Sequence, residues 1–169
     1  MVALLLVLAC AACGDPQAAS GGPSESEPTS GDAVQQSSPS GVEVTGDIGT
    51  KPEITIPEGD PPTELEVTDI VEGDGAEVAE GATVTAHYVG KSWSTGKQFD
   101  ASWDTTGEPA TFPLDGVIAG WTEGLPGMKV GGRRLLVIPG DMGYGEAGSP
   151  PDIAPNETLV FVVDMVETQ

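Results

Sequence analysis

No tryptophan, tyrosine or phenylalanine occurs before Tyr88, so all eight aromatic side chains of this 169-residue chain lie in its second half. Aromatic rings bury large areas and dominate core energetics. A core of ordinary size is therefore expected only where the aromatics are, built with the aliphatic strands that run beside them. The first half differs in kind. Residues 14–40 are Ser, Gly, Pro, Gln and acid, with Val34 their only sizeable aliphatic. Such a segment buries too little apolar surface to offset its chain entropy, and it is predicted to be a disordered linker. A flexible chain of about 27 residues reaches roughly 30 Å.

Ahead of that linker, residues 2–12 are apolar or small throughout. They match a secretory h-region in length and are too short to span a bilayer, although a charged n-region is missing. Small residues before a cysteine resemble the lipobox of bacterial lipoproteins, where cleavage leaves a lipid-modified Cys at the new N-terminus. Cys13, preceded by Ala11 and Ala12, is the expected lipidation site; Cys10, with Val7 and Leu8 upstream, is the alternative. Residues 1–13 are thus read as a signal peptide, and the mature protein as extracytoplasmic and lipid-anchored to a bacterial membrane. A redox CxxC is disfavoured because no strand–helix context surrounds the two cysteines.

Charge removes other classes. With six Lys and Arg against 27 acids, the net charge of −21 leaves no basic patch for phosphates, so no nucleic-acid partner is expected. A single histidine rules out a multi-histidine metal site, and neither metal nor cofactor is expected.

Residues 41–62 are intermediate. Val42, Val44, Ile48, Ile54 and Ile56 alternate with polar residues, which predicts one or two edge strands packed on the domain. From residue 63 to residue 169 the pattern is that of a β domain. Residues 63–71 alternate at period two, and a Glu72–Gly75 turn follows. Residues 81–90 alternate again, with Val84, Ala86 and Tyr88 on one face and Thr83, Thr85 and His87 on the other. Two near-continuous apolar runs, 133–139 and 158–166, predict strands buried on both sides. Only 116–125 has helical character. The predicted fold class is α+β, an antiparallel sheet with one brief helix.

Several motifs fail on context. Gly143 to Gly148 spells G-x-G-x-x-G, but Ser149-Pro150-Pro151 follows it and cannot open the helix that a pyrophosphate needs. A Ser–His–Asp triad would have to use His87, whose alternation makes it a strand-surface imidazole. No spacing isolates a catalytic pair among the acids. Arg133 and Arg134 follow a Gly-Gly turn and read as a solvated strand start. What remains is a set of aromatic and aliphatic residues among turns: Tyr88, Phe99, Phe112, Val117, Ile118, Trp121, Tyr144, Ile153 and Phe161. Part of this set falls on loops or at a helix start, where core residues are less expected. An apolar, aromatic-lined pocket is the usual form of a small-ligand site.

Five segments in order then resemble the FKBP-type peptidyl-prolyl cis-trans isomerases. They are His87-Tyr88-Val89-Gly90, Gly96 to Ser102 with Phe99-Asp100, Val117-Ile118-Ala119-Gly120-Trp121 to Gly124, Met142-Gly143-Tyr144-Gly145, and Pro155 to Phe161. The resemblance spans about Thr63 to the C-terminus and implies a sheet curved around one short helix. It also implies a proline pocket floored by Trp121 and walled by Tyr88, Phe99, Val117, Ile118, Tyr144 and Phe161, with Ile153 from a flap loop. Asp100 matches the family's pocket carboxylate. The Tyr144 hydroxyl and the Ile118 N–H stand where the family hydrogen-bonds ligand carbonyls. Asp100, Tyr144, Tyr88 and Phe99 are the implied catalytic group; Trp121, Val117, Ile118, Ile153 and Phe161 are the implied substrate contacts. The implied partners are proline-containing unfolded or exported polypeptides met by a monomer, with macrolides as further ligands. The alternative is a lipoprotein that keeps the fold as a non-catalytic binding or chaperone module. This sequence departs from the family pattern at Ala110, at a shortened 114–117 stretch, at Asp152, and in a longer loop after Phe99 that holds Trp103 and lacks a matching arginine.

Overall fold

The computed structural model describes residues 36–169. The expected signal peptide with Cys10 and Cys13, and linker residues 14–35, lie outside them. Three short strands come first: β1 (Gln36–Ser37), β2 (Glu43–Thr45) and β3 (Glu53–Thr55). They form an antiparallel sheet in the order β1-β2-β3. β1 falls inside the stretch read as linker, with Gln36 opposite Val44 and Ser37 opposite Glu43. Its two exposed polar residues carry no alternation that would mark a strand; the ladder to β2 makes it one.

The main sheet holds β4 (Glu66–Val71), β5 (Thr83–Ser92), β6 (Gln98–Ala101), β7 (Ala110–Pro113), β8 (Arg133–Ile138) and β9 (Leu159–Thr168). Its order is β4-β8-β9-β5-β6, with β7 also on β5, and every pairing is antiparallel. The two apolar runs are its centre, and both are buried on both faces. Leu136, Ile138, Leu159, Phe161, Val163 and Met165 enter an inner core with Val84, Ala86 and Trp121. Leu135, Val137, Val160 and Val162 point the other way, into an outer core completed by Val42, Val44 and Ile54 of the small sheet. The alternating valines and isoleucines of residues 42–56 therefore cover a sheet face that would otherwise meet water. Burying each such side chain is worth about 1.5–3 kcal/mol.

Helix is scarce. The expected 116–125 helix is reduced to α2 (Ala119–Gly124), because Val117 and Ile118 are extended and hold the chain off helical geometry until Ala119. A 3₁₀ turn, Leu114–Gly116, precedes it. A second helix, α1 (Ser102–Thr105), was not expected from the sequence; four residues are too few to display a helical period. α2 lies so close to β8 that a Cβ on Gly120 would stand 2.4 Å from Ile138 Cγ2. Among the described residues no helix is long and apolar enough to cross a membrane.

The reading of Arg133 and Arg134 as a solvated strand start is corrected. Both are buried. Arg134 donates to both oxygens of Asp69, at 2.6 and 2.9 Å, and to the carbonyls of Gly124 and Pro126. Arg133 pairs with Asp164 and with two carbonyls of the β2–β3 connection. A guanidinium tolerates such burial when its five-donor fork finds acceptors, and both of these do.

Candidate active site

A cavity of about 460 Å³ opens on the inner side of the sheet, lined by Tyr88, Phe99, Asp100, Phe112, Gly116, Val117, Ile118, Trp121, Tyr144 and Phe161. Strand alternation delivers most of these residues. Tyr88 follows Val84 and Ala86 on the inner face of β5, and Phe161 does the same between Leu159 and Val163 on β9. β6 contributes Phe99 and Asp100 at its centre, and β7 contributes Phe112. Val117 and Ile118 belong to the extended entry into α2, whose first turn carries Trp121. An N-cap residue has no intrahelical acceptor for its N–H, so the Ile118 amide is not committed to the helix.

Trp121 is the hub. Tyr88, Phe112 and Phe161 each meet its ring edge to face, with centroids at 5.6, 5.4 and 5.4 Å and planes at 82–83°. Phe99 meets Phe161 in the same way at 5.5 Å and 81°. Edge-to-face pairs are the favourable arrangement for ring quadrupoles, and a net of them holds the floor rigid. The Trp121 Nε1 is buried without a hydrogen-bond partner. Tyr144 stands at the mouth, 42% exposed.

One strong polar contact lies in this apolar setting. The Tyr88 hydroxyl donates to Asp100 Oδ2 at 2.6 Å. Burial, followed by this bond and the charge of Asp100, holds the Tyr88 phenol well above the usual tyrosine range, so it remains a donor. In the loop after Phe99, Thr105 lies 3.5 Å from Asp100 Oδ1 and bonds the Ala101 carbonyl at 3.0 Å. Among the described residues no group of three or more His, Cys, Asp or Glu side chains is arranged to hold a metal ion.

Eight of the nine pocket residues implied by the resemblance are thus brought together here. Ile153 is the exception. It is buried in the inner core, and its backbone pairs with Ser149 across a tight loop. Phe112, named in the aromatic set but not among the pocket residues the resemblance implies, also lines the cavity, as does Gly116, which was in neither. Phe112 had a legible signal, since it shares an alternation with Ala110 opposite Val84 and Ala86; Gly116 had none. His87 is half-buried, its ring stacked on Trp103 at 4.5 Å and its Nδ1 3.0 Å from Ser102 Oγ, away from the cavity. The glycines of 143–148 form a loop with a short 3₁₀ turn, Gly145–Ala147.

Comparison with known proteins agrees with this architecture. Residues 75–166 match the family model described as FKBP-type peptidyl-prolyl cis-trans isomerase. A probable FK506-binding protein of Corynebacterium glutamicum is 50% identical over 116 residues, which are 69% of this chain and 97% of that protein. An FK506-binding protein of Streptomyces anulatus is 52% identical over 119 residues, covering 69% of this chain and 95% of its own. The crystal structure of a peptidyl-prolyl cis-trans isomerase from Pseudomonas syringae superposes with a TM-score of 0.57 at 36% identity, over 62% of this chain and 75% of that one.

Proposed function

The chain belongs to the FKBP-type peptidyl-prolyl cis-trans isomerases, and on that premise we propose that the Trp121-floored cavity is where it rotates X–Pro bonds of exported polypeptides. The observation that carries this is the ring of Tyr88, Phe112 and Phe161 around Trp121, with the Tyr88–Asp100 bond at its edge. An X–Pro amide rotates over a barrier of about 18–20 kcal/mol and takes tens of seconds or more unaided. Twisting breaks amide resonance, so the transition state is less dipolar than the planar ground state. An apolar cavity disfavours the planar dipole relative to the twisted one, and only that difference accelerates the reaction. Removing about 5 kcal/mol gives nearly four orders of magnitude.

In this reading the proline ring sits on Trp121. The Ile118 N–H and the Tyr144 hydroxyl take the flanking carbonyls, and Asp100, held by Tyr88, orients the amide electrostatically without bonding to it covalently. The test is NMR exchange on a Leu-Pro or Phe-Pro peptide with catalytic amounts of protein. Cis–trans exchange should accelerate, and Asp100→Ala or Tyr144→Phe should weaken the effect; an unaccelerated peptide would sink the reading. FK506, after which two relatives are named, is proposed to compete for the same cavity.

The extracytoplasmic setting is also part of the proposal. It is supported by the apolar run at 2–12 that ends beside Cys13, with Cys10 as the alternative anchor. Replacing Cys13 with Ser should abolish lipid labelling and release the protein from the membrane. Labelling that persists until Cys10 is replaced would reassign the anchor.

A further inference from the structure

We propose that Ser102 is a positioning residue for the isomerase, holding the backbone of Tyr88 at the one break in the β5 edge so that its phenol stays on Asp100. The inference rests on the reading that Tyr88 and Asp100 are working parts of the cavity.

The break is visible in the strand register. On the edge of β5 away from β9, β7 pairs with Thr83–Ala86, and β6 pairs with Val89, Gly90 and Lys91. His87 and Tyr88 fall between the two strands, where α1 bulges outward. A backbone N–H left unpaired there would cost about 1–3 kcal/mol. Ser102 fills the gap with its side chain. Tyr88 N–H donates to Ser102 Oγ at 3.0 Å, and the Tyr88 carbonyl lies 3.4 Å from the same oxygen. The hydroxyl is also 3.0 Å from His87 Nδ1, which accepts its proton when the imidazole carries its own on Nε2. Ser102 is buried, 3% exposed.

Ser102 stands two residues after Asp100, so one short segment grips Tyr88 at two points. Asp100 takes the phenol at 2.6 Å and Ser102 takes the amide at 3.0 Å. With both made, the backbone from which the phenol projects and the carboxylate it meets are tied to the same segment. α1 is itself held in place. Trp103 stacks on His87, and Asp104 accepts from Lys51 at 2.5 Å and from Gln98 at 2.7 Å. The other side chain of this loop near Asp100, Thr105, makes only a long contact with it at 3.5 Å, so orientation falls to the Ser102 grip.

The experiment compares wild type with Ser102→Ala, Ser102→Thr and Ser102→Cys, each also in a Tyr88→Phe background. kcat/KM is read from peptide exchange, and folding is checked by a cooperative melt. Misplacing a group by about 1 Å can cost up to 10²-fold, so S102A is expected to lose roughly tenfold in kcat/KM. S102T should recover most of the loss, and S102C, close in size with a weak acceptor, should fall between. In S102A the tyrosinate absorbance of Tyr88 should appear at lower pH than in wild type, read only at pH values where the melt shows the variant still folded, so that unfolding is not its cause. In the Tyr88→Phe background S102A should cost little more. A folded S102A or S102C with wild-type kcat/KM, or the same loss with and without the phenol, overturns the proposal. A wild type that does not accelerate exchange overturns the cavity reading itself, and this inference with it.

Discussion

Arg133 and Asp164 face each other in register across β8 and β9, and their ion pair is completed by the N-terminal segment. Arg133 Nε and Nη2 donate to the two Asp164 oxygens at 2.5 and 2.7 Å. Two further guanidinium donors reach the carbonyls of Gly46 at 2.8 Å and Thr50 at 2.7 Å, and the Gly49 N–H donates to Asp164 at 2.9 Å. A buried pair is tolerable only when its leftover donors and acceptors are satisfied. Here the connection between β2 and β3 satisfies them.

Breaking the pair on one side leaves a buried charge uncompensated. Asp164→Asn or Arg133→Leu should each destabilise the fold by about 3–5 kcal/mol, measured by urea unfolding. A change within about 0.5 kcal/mol would mean that water or a rearranged loop replaces the lost partner.

Residues 36–57 should behave as part of the folded domain. Deleting residues 1–57 bares Ile70, Val89, Leu135, Val137, Val160 and Val162, and strips Arg133 of two acceptors. The shortened chain is expected to bind a hydrophobic dye and to lose several degrees or more in Tm. If it melted like the full chain, the small sheet would be an ornament.

The strands were legible because a two-sided burial pattern writes itself into sequence. Residues 135–138 and 159–163 had to be apolar on both faces, and they are. The pocket was legible through ordered motifs, with Trp121 at the start of its only plausible helix. Other features depended on distant partners. Arg133 looked solvated because its partners lie at 46–50 and at 164, out of reach of any local window. α1 was too short to show a period, and Ile153 sits on a loop whose turn sends it into the core, a choice that alternation does not encode.

Alkaline pH should expose the Tyr88–Asp100 contact. Burial raises the Tyr88 phenol above its ordinary value of 10.0, and the Asp100 bond and charge add to that. The folded state therefore keeps its proton to a higher pH than the unfolded chain. The stability this contributes is complete below about pH 10 and is lost as pH rises beyond it. Unfolding midpoints measured from neutral to strongly alkaline pH should fall above 10, and Tyr88→Phe should flatten that fall. An unchanged slope in the variant would place the loss elsewhere.

Substrate charge should matter. Lys51, Lys129, Arg133 and Arg134 are paired with carboxylates and Lys91 bonds the Ile54 carbonyl, which leaves Lys97 as the untied cation among the described residues. Asp100 lines the cavity, and Asp115 and Glu146 stand one and two residues from lining residues Gly116 and Tyr144. At low ionic strength, a Leu-Pro peptide flanked by lysines should show kcat/KM roughly tenfold above its glutamate-flanked twin. The gap should close near 1 M salt, where charges are screened within about 3 Å. Equal values at low salt would show that the field of the protein does not reach the bound segment.

Gly90 sets the width of the cavity. It lies on β5 between two walls, and a Cβ there would stand 2.6 Å from Phe99 Cζ and 2.8 Å from Phe161 Cε1. Those rings meet edge to face at 5.5 Å only because nothing projects from residue 90. Gly90→Ala must therefore displace one ring towards the Trp121 floor or force the strand outward, an overpacking that costs about 1–3 kcal/mol of stability. Displacing a wall removes contact from ground state and transition state alike, so KM should rise several-fold while kcat changes less. Equal falls in kcat and kcat/KM would mean instead that the Phe99–Phe161 contact is used chiefly in the transition state. That outcome would move Phe99 from a wall to a participant in the twist.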